Sequence, residues 1–350
     1  MRRILVVQTG FHGDVILSSP VWSNLKAMYP QAEIFVLTTP QARELVCYHP
    51  AVEKVLVFDK RASRKGFLGL LKMAKELAGY SFDAVFCLHK SWRTAVLMRL
   101  SRIPVRYGFT EAAGAWFYIK TASRKNFTHE VLRNLSIFQV CAVEPTDVDN
   151  SLSLYVSPDA QDRADRLLGD FVYGDINASS IIGIAPGSVW ATKRWTVDGF
   201  CNVAKGLIER GLKVVLIGGP SDAFIADAIE KRLSVCNSGD LSYGVLNIVG
   251  KVPFIVSAGV IKRCKVLLTN DSAPMHIAAS LNVPVVCVFC ATVPEFGYGP
   301  WGVKHRIHGV SNLKCRPCAR HGMQYCPSGT HACQLHVNEK EVLESVLSLC

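Results

Sequence analysis

The stretch 266–302, VLLTNDSAPMHIAASLNVPVVCVFCATVPEFGYGPWG, constrains the fold of this chain more than any other. It opens with an apolar run of strand length, residues 266–268. Thr269-Asn270-Asp271-Ser272-Ala273-Pro274 follows, a turn rich in helix-capping residues. Residues 275–281 have helical spacing, Asn282-Val283-Pro284 stops the helix, and 285–289 reads as a second buried strand. Strand, turn, helix and strand in that order make half of a βαβ unit, so a parallel sheet is expected. The turn then lies at the carboxyl end of a strand, where open α/β sheets bind ligands. A helix N-terminus there offers unpaired N–H groups and a partial positive charge to an anion. Ser272 and Ala273 are small enough for a ligand to approach the backbone, and His276 follows within the same helix. On spacing alone, Asp271 or Ser272 serving only as a cap, and His276 only as a helix residue, fit as well. A second loop, 292–300, is rich in Gly and Pro and carries aromatic rings able to stack on a base or sugar.

The rest of the chain repeats the alternation. Residues 4–7 form a buried-strand run, Gln8-Thr9-Gly10-Phe11-His12-Gly13-Asp14 a loop, and 15–29 a helix ended by Pro30. Gly10 and Gly13 do not make the dinucleotide fingerprint G-x-G-x-x-G. Strands are expected at 32–38, 52–58 and 84–88, with a helix over 41–48. The loop 59–66 carries Lys60, Arg61, Arg64 and Lys65, a cluster suited to a phosphate or carboxylate and equally to a solvated face. His89-Lys90-Ser91-Trp92-Arg93 follows the strand 84–88, so Lys90 and Arg93 are candidates for the same ligand. Residues 106–128 are basic, aromatic and irregular. They read as acceptor-side loops touching a membrane, or as rings Trp116, Phe117 and Tyr118 buried in the domain.

A boundary falls in 146–158. Its Asp147-Val148-Asp149 has the spacing of a metal-binding D-x-D but no adjacent strand end, and reads as linker charge. The second domain begins with a helix over 158–169 and a strand over 180–185. Gly187 and Ser188 then precede Lys193, and small residues with a lysine at a strand end suit a diphosphate. A further strand, 213–217, ends in Gly218-Gly219-Pro220-Ser221-Asp222.

With 350 residues the chain is long enough for two cores, and its net charge of +11 favours anionic partners. Zinc-finger spacing, an RNA-binding signature and a dense basic helix are all missing, which argues against nucleic acid. No apolar run of spanning length is present, and MRRILVVQTG lacks the features of a signal peptide, so the expected compartment is the cytoplasm. Of thirteen cysteines, Cys87, Cys287 and Cys290 sit in apolar runs and read as buried hydrophobes. Cys315, Cys318, Cys326 and Cys333 are grouped so that a structural metal, two labile disulfides or four free thiols all fit.

NDSAPMHIAASLNVPVV, ATVPEFGYGPWG and APGSVWATKRW together resemble glycosyltransferase family 9, the ADP-heptose:lipopolysaccharide heptosyltransferases, and within it the heptosyltransferase II branch. The resemblance runs over most of the chain. It implies the GT-B architecture: two Rossmann-like doubly wound α/β domains facing a cleft. Residues 1–157 would bind the acceptor, 158–336 the nucleotide sugar, and the helix 337–350 would pack back on the first domain. It implies inverting transfer of L-glycero-D-manno-heptose from ADP-heptose to the Kdo–heptose inner core on lipid A, with the second heptose as the one added.

Asp14 is then the catalytic base and Lys193 the donor-phosphate contact. Gly187, Ser188, Asp222, Asp271, Ser272, Ala273 and His276 hold the donor, while Arg61, Arg64, Lys90 and Arg93 face the acceptor. No catalytic metal is implied, and a monomer peripheral to the inner face of the inner membrane is expected. The rival readings are another sugar-nucleotide transferase, an epimerase of the same fold, or a non-catalytic nucleotide-sugar binder.

Overall fold

The computed structural model describes residues 1–59, 66–172, 181–235 and 241–350, which include all but two of the candidate residues, Arg61 and Arg64. The chain divides into two units, Met1–Tyr155 and Val156–Cys350, where the sequence reading placed the division at 157/158.

The first unit holds strands β1 (Arg3–Val7), β2 (Glu33–Thr38), β3 (Lys54–Val57), β4 (Ala84–Cys87), β5 (Val105–Phe109) and β6 (Lys120–Ala122). They form one sheet in the order β3-β2-β1-β4-β5-β6, and every pairing is parallel. Its central strands read as unbroken apolar runs because helices cover both faces. Ile4 to Val7 and Ala84 to Cys87 are buried throughout. The strand order reverses between β1 and β4, with Val7 beside Cys87. That reversal is the switch point where the two following loops diverge and leave a crevice.

The second unit repeats the plan with β7 (Ile181–Ala185), β8 (Lys213–Leu216), β9 (Val245–Asn247), β10 (Val266–Asn270), β11 (Val285–Val288) and β12 (His305–His308). Their order is β12-β11-β10-β7-β8-β9, again wholly parallel. Here the reversal lies between β7 and β10, with Ala185 beside Thr269. The loops after β7 and β10, which carry Lys193 and Asp271, therefore leave the sheet side by side.

Two expectations change. The sequence suggested one helix over 15–29, but the structure has two, His12–Ile16 and Ser19–Met28. Pro20 has no N–H for the carbonyl four residues back, so one helix ends and the next begins with its proline in the first turn. The terminal helix, Glu339–Leu349, was expected to dock on the first unit. Its apolar face instead joins the core of the second, where Val342 and Val346 are fully buried with Ile182, Leu207 and Val286. It packs against the helix Val197–Ile208. No helix among the described residues is long and apolar enough to cross a membrane.

Candidate active site

The first unit's switch point is built around Asp14. β1 delivers the chain to Gly10, and Asp14 sits in the short helix His12–Ile16. Its Oδ2 accepts the Phe11 N–H at 3.0 Å. A Cβ on Gly10 would lie 2.7 Å from that oxygen, so this position requires glycine. Behind the loop, polar side chains fix its course. Gln8 Oε1 accepts the Gly10 N–H at 3.1 Å, Gln8 Nε2 donates to Ser18 Oγ at 3.1 Å, and Ser18 Oγ donates to the Asp14 carbonyl at 2.7 Å. Asn134, fully buried on the helix Glu130–Leu135, donates to Ser18 Oγ and to the Leu17 carbonyl.

Burial pushes the Asp14 carboxyl up to about 6, with nearby Glu130 adding to the rise. The Phe11 N–H, Arg124 and Lys90 act the other way. Arg124 and Glu130 form a buried ion pair, and Arg133 approaches the other Glu130 oxygen at 3.6 Å. A carboxyl with this proton affinity is still mostly ionised at neutral pH yet more basic than an ordinary aspartate, which suits proton abstraction. Lys90 is thus close enough to act on Asp14. Arg93 is turned elsewhere: it donates to the Gly66 carbonyl at 3.2 Å and stacks 5.4 Å over Phe58. Arg61 and Arg64 lie outside the described residues.

In the second unit the two loops meet at an ion pair. Lys193 Nζ lies 2.6 Å from Asp271 Oδ2, and Thr292 Oγ1 donates to the same oxygen at 2.7 Å. Asn270, the last residue of β10, holds both ends of the Lys193 loop: it donates to the Pro186 carbonyl at 2.8 Å and accepts the Trp195 N–H at 2.9 Å. Ser188 is buried, and its carbonyl accepts from Arg194 at 2.8 Å. Gly187 allows the Asp222 carboxyl to pack on the backbone, since a Cβ there would lie 2.2 Å from Asp222 Cγ. Burial raises the proton affinity of Asp222, against the bond from Gly219 N–H and the charge of Arg194.

Ser272 precedes the helix Ala273–Ser280 without a side-chain cap bond. His276 is buried on that helix. A partly buried lysine beside a helix N-terminus is chemistry for holding an anion, and a diphosphate fits both.

Sequence reasoning missed what holds these groups. Arg124 lay in a segment taken as acceptor loops, and Glu130 just beyond it drew no notice. The 315–334 segment braces the Lys193 loop: Thr192 exchanges bonds with the Met323 backbone, and Gln334 donates to the Ala191 and Arg194 carbonyls. Arg316 gathers four carbonyls, those of Phe289, Cys290, Thr292 and Val310. These partners are more than a hundred residues apart in the Thr192 and Gln334 cases, beyond any local pattern.

The four grouped cysteines are close enough to affect one another's ionisation, with burial holding Cys333 up at about 11 and the Ser328 hydroxyl bringing Cys326 down to about 7. Among the described residues, however, no three His, Cys, Asp or Glu side chains are arranged to hold a metal. The set does not fit the structural metal that its spacing allowed. Cys287 and Cys290 are free and buried, with thiols kept protonated by burial. Asp147 and Asp149 sit in an irregular segment whose backbone is tied to Asn24.

Known proteins fit this geometry. The model of glycosyltransferase family 9 (heptosyltransferase) matches residues 70–327. Lipopolysaccharide heptosyltransferase 3 of Escherichia coli is 27% identical over 303 residues, covering 83% of this chain and 84% of that protein. Lipopolysaccharide heptosyltransferase 2 of Escherichia coli K12 is 26% identical over 312 residues, 84% of each. The structure of the Escherichia coli ADP-heptose lipopolysaccharide heptosyltransferase II superposes with a TM-score of 0.79 at 23% identity, over 100% of this chain and 98% of that one. The paired parallel sheets are those of the GT-B fold, and the chain belongs to glycosyltransferase family 9, the heptosyltransferases.

Proposed function

We propose that this heptosyltransferase moves L-glycero-D-manno-heptose from ADP-heptose to a heptose already on the Kdo–lipid A inner core, adding the second heptose with inversion. The observation that carries the reading is Asp14, a carboxyl raised to about 6 at a sheet switch point, with Arg124 and Lys90 acting on it but no ion pair to it among the described residues. The acceptor hydroxyl attacks the anomeric carbon, its proton passes to Asp14, and the bond to the β-phosphate oxygen breaks to release ADP. The carbon passes through an oxocarbenium-like state.

Negative charge grows on the leaving diphosphate. Lys193 and the helix N-terminus at Ser272 and Ala273 offset it, with Gly187 and Ser188 allowing close approach. In the free protein Lys193 is held by Asp271. Donor binding then gives that ammonium a second anion, and Asp271 turns to hydroxyls of the sugar. Asp222 lies by the nucleoside and His276 behind the phosphates. Lys90 meets the acceptor, as do Arg61, Arg64 and Arg93 on the sequence reading. The enzyme works as a monomer at the inner face of the inner membrane.

Both heptosyltransferase 2 and heptosyltransferase 3 are among the relatives, so the acceptor is the part to test. Purified protein is given ADP-heptose with core acceptors bearing zero, one or two heptoses, and ADP release is followed. The reading expects turnover with the one-heptose acceptor. Turnover only with two heptoses would move the enzyme one step later.

A further inference from the structure

The first unit exposes a set of apolar side chains that its fold does not use. Phe67 and Leu68 are 64% and 74% exposed at the start of the helix Gly66–Gly79, and Leu71 is 38% exposed one turn on. Trp92, at the start of the helix Trp92–Leu100, is 48% exposed, and Trp116 is 73% exposed. The Trp92 and Trp116 ring centroids are 5.3 Å apart, and both rings meet Phe117. The two groups are joined, because Arg93 donates to the Gly66 carbonyl and the two helices pack together. Scattered exposed apolar residues are ordinary, but a contiguous set marks a contact surface.

Position and charge identify the contact. These side chains follow β3, β4 and β5, and Asp14 follows β1, so in a parallel sheet all lie along one edge. On the Gly66–Gly79 helix the apolar start gives way to exposed Lys72 and Lys75, with one exposed carboxylate, Glu76, beside them. Apolar rings bordered by lysines match a bilayer interface. Tryptophan settles at headgroup level, leucine and phenylalanine reach the acyl boundary, and lysine meets anionic headgroups.

We infer that Phe67, Leu68, Leu71, Trp92 and Trp116, with Lys72 and Lys75, form the surface by which this enzyme docks on an anionic phospholipid bilayer. The inference rests on the proposed reading in one respect: a lipid-borne acceptor requires the acceptor edge to meet the membrane.

The probe is vesicle co-sedimentation, comparing phosphatidylcholine vesicles with and without phosphatidylglycerol. Wild type should bind the anionic vesicles, and Lys72→Glu with Lys75→Glu should weaken that binding about tenfold or more, each charge near the surface contributing separately. Leu68→Ser with Trp116→Ser should weaken it similarly with unchanged melting, since both side chains are exposed. Failure of wild type to bind, or full binding by both variants, would overturn the surface. So would a wild-type dimer in sedimentation that the variants turn into monomers.

Activity separates this from the catalytic reading. Both variants should keep wild-type turnover on a deacylated, water-soluble core and lose it on acceptor in vesicles. Vesicle binding without any ADP-heptose turnover would sink the catalytic reading and leave the surface standing.

Discussion

Asp14→Asn should make the enzyme more stable while nearly abolishing its activity. The substitution keeps the shape and the acceptor for the Phe11 N–H but removes the ionisable proton. In the fold the carboxyl is pushed from its ordinary 3.8 up to about 6, chiefly by burial. A gap of about two pH units corresponds to roughly 3 kcal/mol. The sign follows from proton binding: the folded form holds this proton more tightly than the unfolded chain. Its stabilising effect is therefore complete below pH 3.8 and lost as pH rises through about 6.

At pH 7.5 wild type carries the cost of a partly buried carboxylate that the amide lacks. The variant should be more stable there by up to roughly 3 kcal/mol. At about pH 4 the two should be nearly equal, because the wild-type carboxyl has regained its proton. Urea unfolding at both pH values measures this, following the transition that responds to the substitution, since two units need not melt together. Turnover at pH 7.5 should fall by roughly two to four orders of magnitude, the usual contribution of a general base, with donor affinity kept. A variant less stable than wild type at pH 7.5, or a gain equal at both pH values, would refute the buried, poised carboxyl.

Lys193→Ala should weaken ADP binding in titration calorimetry and slow transfer, since a charge-assisted contact to phosphate is lost; unchanged ADP affinity would remove Lys193 from the donor site. Arg61→Ala with Arg64→Ala should raise acceptor KM and leave donor KM alone, and added salt should weaken wild-type acceptor binding more than the variant's. A joint rise in both KM values would make that loop a solvated face. Activity should persist in EDTA, because protein groups meet the leaving-group charge; complete loss restored by magnesium would return Asp147 and Asp149 to consideration.

The sheets were legible because parallel strands covered on both faces are written as short unbroken apolar runs. Residues 4–7, 84–88 and 266–268 are such runs, and each is a strand. Loops at strand ends could be located by position, whereas the roles given to Asp14, Lys193, Asp271 and Asp222 within them came from the family resemblance. What the sequence hid was long-range. Nothing local ties Asn134 to Ser18, Thr292 to Asp271, or Gln334 to the Lys193 loop. The terminal helix was misplaced for a related reason: its apolar stripe says that it docks, but not on which unit. The break at Leu17 could have been read from Pro20, which a helix interior does not tolerate.

The central claim is that heptose passes from ADP to a sugar hydroxyl with inversion. Purified enzyme should be incubated with ADP-heptose and a core acceptor bearing one heptose, with ADP counted and the new anomeric configuration read by NMR. The account predicts one ADP released for each heptose transferred, and a linkage opposite in configuration to the donor's. ADP release without a new linkage, or a linkage that retains the donor's configuration, would contradict it.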